Sequence, residues 1–186
     1  MIIALTLSNL PVAMFYAQLG TNLPVYLSYH FANYTRLIAA LYLFSAGTVV
    51  LLQVIVSRLV RNMTLWILIS LSFLSFAVAS FGYAWAPSVG VLLVAEFVFT
   101  VADMVGIPQL NHLVSQIAPG NKRALYFSIY DSRVRIGEVL GPLWGGWLMT
   151  VAGGGNSFRI AGLLVLAGGL GTVVLVRRLI LETGSV

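Results

Sequence analysis

Four of the chain's five carboxylates, Glu96, Asp103, Asp131 and Glu138, fall inside two long apolar stretches, together with Arg133 and Arg135. A charge at the middle of a membrane helix costs about 2.5–3.5 kcal/mol, so ionisable residues in such places mark ion pairs, proton relays or substrate sites. Glu96 and Asp103 are seven residues apart and share one helical face. Asp131, Arg135 and Glu138 follow an i, i+4, i+7 pattern on a second helix, with Arg133 pointing elsewhere. Counted inward at ~1.5 Å per residue from Ser88, Glu96 is about 12 Å deep and Asp103 about 22 Å. Counted from Leu125 on the opposite side, Asp131 is about 9 Å deep, Arg135 about 15 Å and Glu138 about 20 Å. Across an apolar core about 30 Å thick, Glu96 and Glu138 are then nearest the middle. This depth order divides the set. Asp103, Asp131, Arg133 and Arg135 are expected to form an ion-pair network that locks or gates the cytoplasmic entrance. Glu96 and Glu138 are expected to face a central aqueous cavity as proton or cation-substrate sites, because a carboxylate removed from water holds its proton more tightly. The alternative is that all six charges are structural pairs, with the arginines snorkelling to the inner headgroups.

Long apolar helices must carry these charges, and the composition supplies them. The 186 residues are 60% hydrophobic and 8% charged, with a mean hydropathy of +0.98. No globule of this size has enough interior to hide so much apolar surface from water. The absence of cysteine excludes a disulfide scaffold, and the apolar excess excludes disorder. The net charge of +5 comes from ten scattered basic residues, not a cluster, so no nucleic-acid partner is expected.

Six stretches satisfy the requirement of about 20 largely apolar residues per span: residues 2–27, 37–57, 64–83, 88–117, 125–151 and 160–176. The predicted fold is therefore all-α, a single six-helix polytopic membrane domain over residues 1–186 with short connections. Arg58, Arg61, Lys122, Arg123, Arg177 and Arg178 fall on one side of that topology, and only Arg36 and Arg159 on the other. The excess of basic residues on the cytoplasmic side of membrane proteins places both termini in the cytoplasm and the chain in the cell (inner) membrane.

The fifth stretch also carries Gly137, Gly141 and Gly145, spaced every four residues, with Pro142 between them. Such a smooth stripe admits close approach of another helix. Pro142 is expected to bend its helix, and Pro24 and Pro108 to interrupt theirs. Gly153, Gly154 and Gly155 read as a flexible outer turn.

Three motifs resemble the C-terminal half of a major facilitator superfamily transporter. Gly137-Glu-Val-Leu-Gly141-Pro142-Leu-Trp-Gly145-Gly146 resembles the glycine–proline pattern of that family's eleventh span. Gln53-Val-Ile-Val-Ser57-Arg58-Leu-Val60-Arg61 resembles the second, degenerate copy of its loop motif; Arg58 and Arg61 match, while Gln53, Ser57 and Val60 depart from it. Phe15-Tyr-Ala-Gln18-Leu-Gly-Thr21-Asn-Leu-Pro24-Val-Tyr-Leu27 resembles the seventh span of the drug:proton antiporter branch. The resemblance implies alternating access, two six-helix halves rocking about a central site, usually driven by protons. It implies that Gln18, Thr21 and Asn22 line the cavity beside Glu138, and that Arg58 and Arg61 belong to the gate. The implied partners are a small-molecule substrate, protons, the bilayer, and a second six-helix half or a second copy of the chain. Aromatics such as Phe15, Tyr16, Trp144 and Trp147 are of the type that stacks a cationic drug.

Other classes have weaker support. An intramembrane serine protease needs a serine in a glycine-rich turn and a histidine on a neighbouring helix. Ser45 within Leu43-Phe44-Ser45-Ala46-Gly47 is the nearest approach, and His30 and His112 are the available histidines. No selectivity-filter sequence suggests a channel, and a non-transporting membrane scaffold is the other alternative. Neither a metal-binding histidine pair nor a nucleotide-binding loop occurs, so no cofactor is expected.

Overall fold

In hydrocarbon every backbone N–H and C=O must be satisfied within its own segment, which forces apolar stretches of this length into helices. The computed structural model describes residues 1–85 and 88–183. Its six long helices are α1 (Ile2–Ser28), α2 (Tyr34–Val60), α3 (Leu65–Ala84), α4 (Val89–Ile117), α5 (Arg123–Ala152) and α6 (Gly154–Thr183). A single 3₁₀ turn, Gly120–Lys122, precedes α5, and no strand occurs among the described residues. Five of these helices are long and apolar enough to cross a membrane. α5 has the length, at 30 residues, but its five charged residues and its glycines dilute its apolarity.

The connections are short and carry their own chemistry. Ser88 caps α4, its hydroxyl accepting from the Val91 N–H at 3.4 Å. Gly153 alone joins α5 to α6, and its φ of +86° is a conformation that a side chain would strain. The expected three-glycine outer turn is thus one residue long. Gly154 and Gly155 already belong to α6, which begins six residues before the predicted start. There they allow close packing: a Cβ on Gly155 would come within 2.9 Å of the Ala84 carbonyl oxygen, and one on Gly154 would strike the Tyr26 ring. The helices expected to be interrupted at Pro24 and Pro108 are continuous. Pro11, Pro24, Pro108 and Pro142 all sit inside continuous helices.

The chain runs up and down, and both ends of the bundle are identifiable from contacts. At one end Arg177 near the end of α6 lies over the Trp66 ring at the start of α3, 4.2 Å from its centroid. At the other, Tyr26 near the end of α1 donates to the Ala84 carbonyl at the end of α3, at 3.2 Å. α1 packs against α5 and α6, α3 against α4 and α6, and α2 mainly against α4. α3 is the most enclosed helix, whereas α2 buries only Leu41 and Thr48.

Lipid tails are as apolar as leucine, so helices in a bilayer are held by close packing and polar ties and not by expulsion of water. Such ties recur here. Ser72 donates to the Ala102 carbonyl at 2.8 Å, joining α3 to α4, and Ser80 to the Phe158 carbonyl at 2.7 Å, joining α3 to α6. Between α1 and α6, the buried Thr172 hydroxyl accepts from the Asn9 amide at 3.2 Å and reaches the Ser8 hydroxyl at 2.9 Å. Thr172→Val removes this knot while keeping the side-chain shape. It is expected to lower stability by about 0.5–1.5 kcal/mol, the usual worth of an interhelical tie. Detergent-induced unfolding measures it, and an unchanged midpoint would show that the knot holds nothing.

Candidate functional site

The two carboxylates of α4 are each held by a tyrosine from another helix. Glu96 is only 6% exposed, and its Oε2 accepts from the Tyr83 hydroxyl of α3 at 2.6 Å. One turn on, the Thr100 hydroxyl bonds to the Glu96 carbonyl at 2.7 Å and lies 2.8 Å from the Ser45 hydroxyl of α2. Glu96 and Ser45 line a cavity of about 270 Å³ between α1, α2 and α4, with Tyr16, Leu41, Tyr42 and Phe99 as further walls. Asp103, on the same face of α4, accepts a hydrogen bond from the Tyr16 hydroxyl of α1.

The charges of α5 are arranged differently from the expected gate. Arg133 pairs with Asp131 at 3.3 Å and Arg135 with Glu138 at 3.1 Å, both within the one helix. Asp103 is bonded to Tyr16 and is not part of either pair. The expected single network is therefore two local pairs and a separate tyrosine–aspartate bond. The physical reason is packing: α4 and α5 barely meet, because α1 takes up the inner face of α5.

The α5 charges do divide between two faces, with Arg133 apart from the other three. Arg133, expected to point away from the others, is the enclosed one, its side chain 13% exposed. Its guanidinium stacks over the Tyr130 ring at 3.5 Å and donates to the Tyr130 carbonyl at 2.8 Å. Asp131, Arg135 and Glu138 do share a face, but it is the open one, with side chains 64%, 82% and 53% exposed. Arg133 and Glu138 both border a second cavity of about 310 Å³, walled by Asn9, Tyr16, Phe76 and Ile107 among others. Glu96 and Glu138 thus border two different cavities within this bundle. Arg58 and Arg61 are exposed at the end of α2.

The α1 candidates separate in the same way. Thr21 and Asn22 line a third cavity, of about 700 Å³, with Tyr26, His30, Pro142 and Met149. Gln18 does not join them. It is 1% exposed and lies against α5, where a Cβ on Gly145 would come within 2.8 Å of its side-chain carbon. Its Oε1 has no hydrogen-bond partner in the structure. The glycine stripe itself has a definite partner in α1. Cβ atoms on Gly137 and Gly141 would approach Ala13 and Met14 backbone atoms within 2.7 and 2.5 Å.

Ser45 is engaged with Thr100, while His30 bonds to the Tyr26 carbonyl and His112 to Gln116. No serine–histidine pair of the hydrolytic kind is formed by these three residues. The sequence reading missed Tyr83 altogether and took Tyr16 only as an aromatic surface. A tyrosine in an apolar span is a general signal for a buried hydroxyl needing a partner, but the partner's identity depends on how α1, α3 and α4 pack.

Comparison with known proteins adds two findings. The family model described as Major Facilitator Superfamily matches residues 5–184. A curated protein of Bacillus subtilis (strain 168), named as the uncharacterized MFS-type transporter YhjO, is 26% identical over 182 residues. That match covers 96% of this chain and 44% of the relative, so the chain spans less than half the length of the curated protein it resembles.

Proposed function

From the premise that this chain belongs to the Major Facilitator Superfamily, we propose that it is one six-helix half of a secondary transporter working by alternating access. The observation that carries this reading is the pair of cavities inside the bundle. One is lined by Glu96 of α4 and the other by Arg133 and Glu138 of α5. Charges kept at such depth cost enough to need a use. The reading gives Glu96 and Glu138 the proton or substrate sites, in a proton-coupled efflux system of the drug:proton antiporter type. Thr21 and Asn22 line its outer vestibule, Arg133 holds the inner cavity wall, and both termini lie in the cytoplasm.

The open charged face of α5 supports the need for a second half. Asp131, Arg135 and Glu138 left against lipid would each carry a penalty of about 2.5–3.5 kcal/mol. A second six-helix unit, from another segment or chain or from a second copy, covers them and completes the path. The exposed apolar face of α2, with Leu43, Val50 and Leu51, is equally suited to such a neighbour or to lipid.

The experiment is dye movement in inside-out vesicles from cells that make the protein, under an imposed pH gradient. A cationic fluorescent dye should move saturably and with the gradient. Glu96→Gln and Glu138→Gln should each lower the rate at least tenfold and flatten its pH dependence. Undiminished rate and pH response in both variants would sink the carboxylate role, and unsaturable conductance would favour a channel.

A further inference from the structure

The two cavities are separate, and one side chain borders both. Tyr16 of α1 lines the Glu96 cavity and the Arg133–Glu138 cavity alike. Its ring packs on Phe99 at 4.9 Å, a wall of the first, and on Phe76 at 5.7 Å, a wall of the second. Phe76 and Phe99 also meet each other, at 5.5 Å. The three rings form a septum where α1, α3 and α4 come together. The Tyr16 hydroxyl is tied to Asp103, which lines neither cavity.

We infer that Tyr16 is the size-determining partition of the binding space and that its bond to Asp103 is the latch that keeps it closed. The inference deepens the transporter reading and rests on it for the use of the space, but the geometry of the septum is independent of transport. With Tyr16 in place, the cavities of about 310 and 270 Å³ stand at the lower edge of the roughly 300–1,000 Å³ that drug-sized ligands occupy. With the ring turned aside they become one chamber well inside that range, with Glu96 at one end and Glu138 at the other. Small ligands then use one cavity at a time. A ligand with an extended apolar body needs the latch released. Asp103 acts through Tyr16 as a positioning residue and touches no substrate.

The chain contains no cysteine, so single thiols can be introduced without background. Ser45→Cys reports from the Glu96 cavity, and Leu51→Cys, 74% exposed on α2, is the control. Each is reacted in membranes with a small and a bulky methanethiosulfonate of the same charge. In Tyr16→Ala the bulky reagent should react with Cys at 45 about tenfold faster than with Tyr16 present, while the small one changes less than threefold. Tyr16→Phe and Asp103→Leu, which each remove one end of the latch bond while keeping the ring or a side chain of similar size, should give a smaller increase of about threefold, again for the bulky reagent only. If Tyr16→Ala fails to accumulate, these two conservative variants decide the matter. Unchanged bulky-reagent rates at position 45, with the control also unchanged, would overturn the partition; equal acceleration of both reagents would show general loosening instead of a size filter and overturn it too. Failure of dye transport with the labelling pattern intact would strike the transporter reading and leave the septum standing.

Discussion

Gly141→Ala is expected to destabilise the bundle by about 1–3 kcal/mol, the cost of forcing extra volume into a packed interface, although it adds one methyl group and no charge. The added Cβ would lie 2.5 Å from the Met14 carbonyl oxygen, 2.9 Å from the Ala17 Cβ and 3.1 Å from the Met14 Cα. Two of those three atoms are backbone of α1, which cannot swing aside as a long side chain does. The helices must separate, and they are joined along the whole stripe, since Gly137 meets Ala13 at 2.7 Å in the same manner. Gly146→Ala is the matched control. It lies on the same helix, yet its Cβ would find only the Asn22 amide nitrogen, at an ordinary 3.9 Å. There the better helix propensity of alanine makes the change neutral or slightly favourable. Detergent titration of both variants, followed by helix content, separates the outcomes. Equal stability of the two would mean that α1 and α5 are not held by close approach.

That prediction was half visible before the fold was known. The four-residue spacing of Gly137, Gly141 and Gly145 marks a smooth helical face from sequence alone, because periodicity is a local property. Which helix uses the face is not local, and α1 is more than a hundred residues away in the chain. The helices themselves were legible for the same kind of reason: a bilayer allows few structures, so apolar length nearly dictates helix. Gly154 and Gly155 misled because glycine signals both turns and close packing, and only the neighbouring Tyr26 and Ala84 distinguish the two.

The candidate site shows the limit more sharply. Depth along a helix can be counted from the sequence at about 1.5 Å per residue. Rotation about the axis relative to the rest of the bundle cannot be counted. The i, i+4, i+7 spacing correctly grouped Asp131, Arg135 and Glu138, but could not say that their face is the open one and that Arg133 alone turns inward. Asp103 lost its expected arginine partners because α1 stands where α5 was needed. The tyrosines that hold the α4 carboxylates came from helices whose placement no spacing encodes.

Tyr83→Phe should be as damaging to stability as any single-atom deletion in this protein. The Tyr83 hydroxyl is fully enclosed and donates to a carboxyl that is itself 6% exposed. Removing the donor leaves Glu96 in place, in apolar surroundings, with its strongest partner gone. A buried polar group left unsatisfied costs about 1–3 kcal/mol, and more when it is charged. Glu96→Ala orphans the tyrosine instead and adds a void, so its cost should be of the same order. The double variant removes both ends of the bond and should be less destabilised than the sum of the two, by about 1 kcal/mol or more. Glu96→Gln provides the contrast, since its amide oxygen can still accept from Tyr83 and should keep most of the stability while losing the ionisable proton. The cycle, measured by thermal or detergent unfolding of the four proteins, tells the two roles of Glu96 apart. Strict additivity would mean that the Tyr83 bond carries no energy, and Glu96 would then be placed by packing alone.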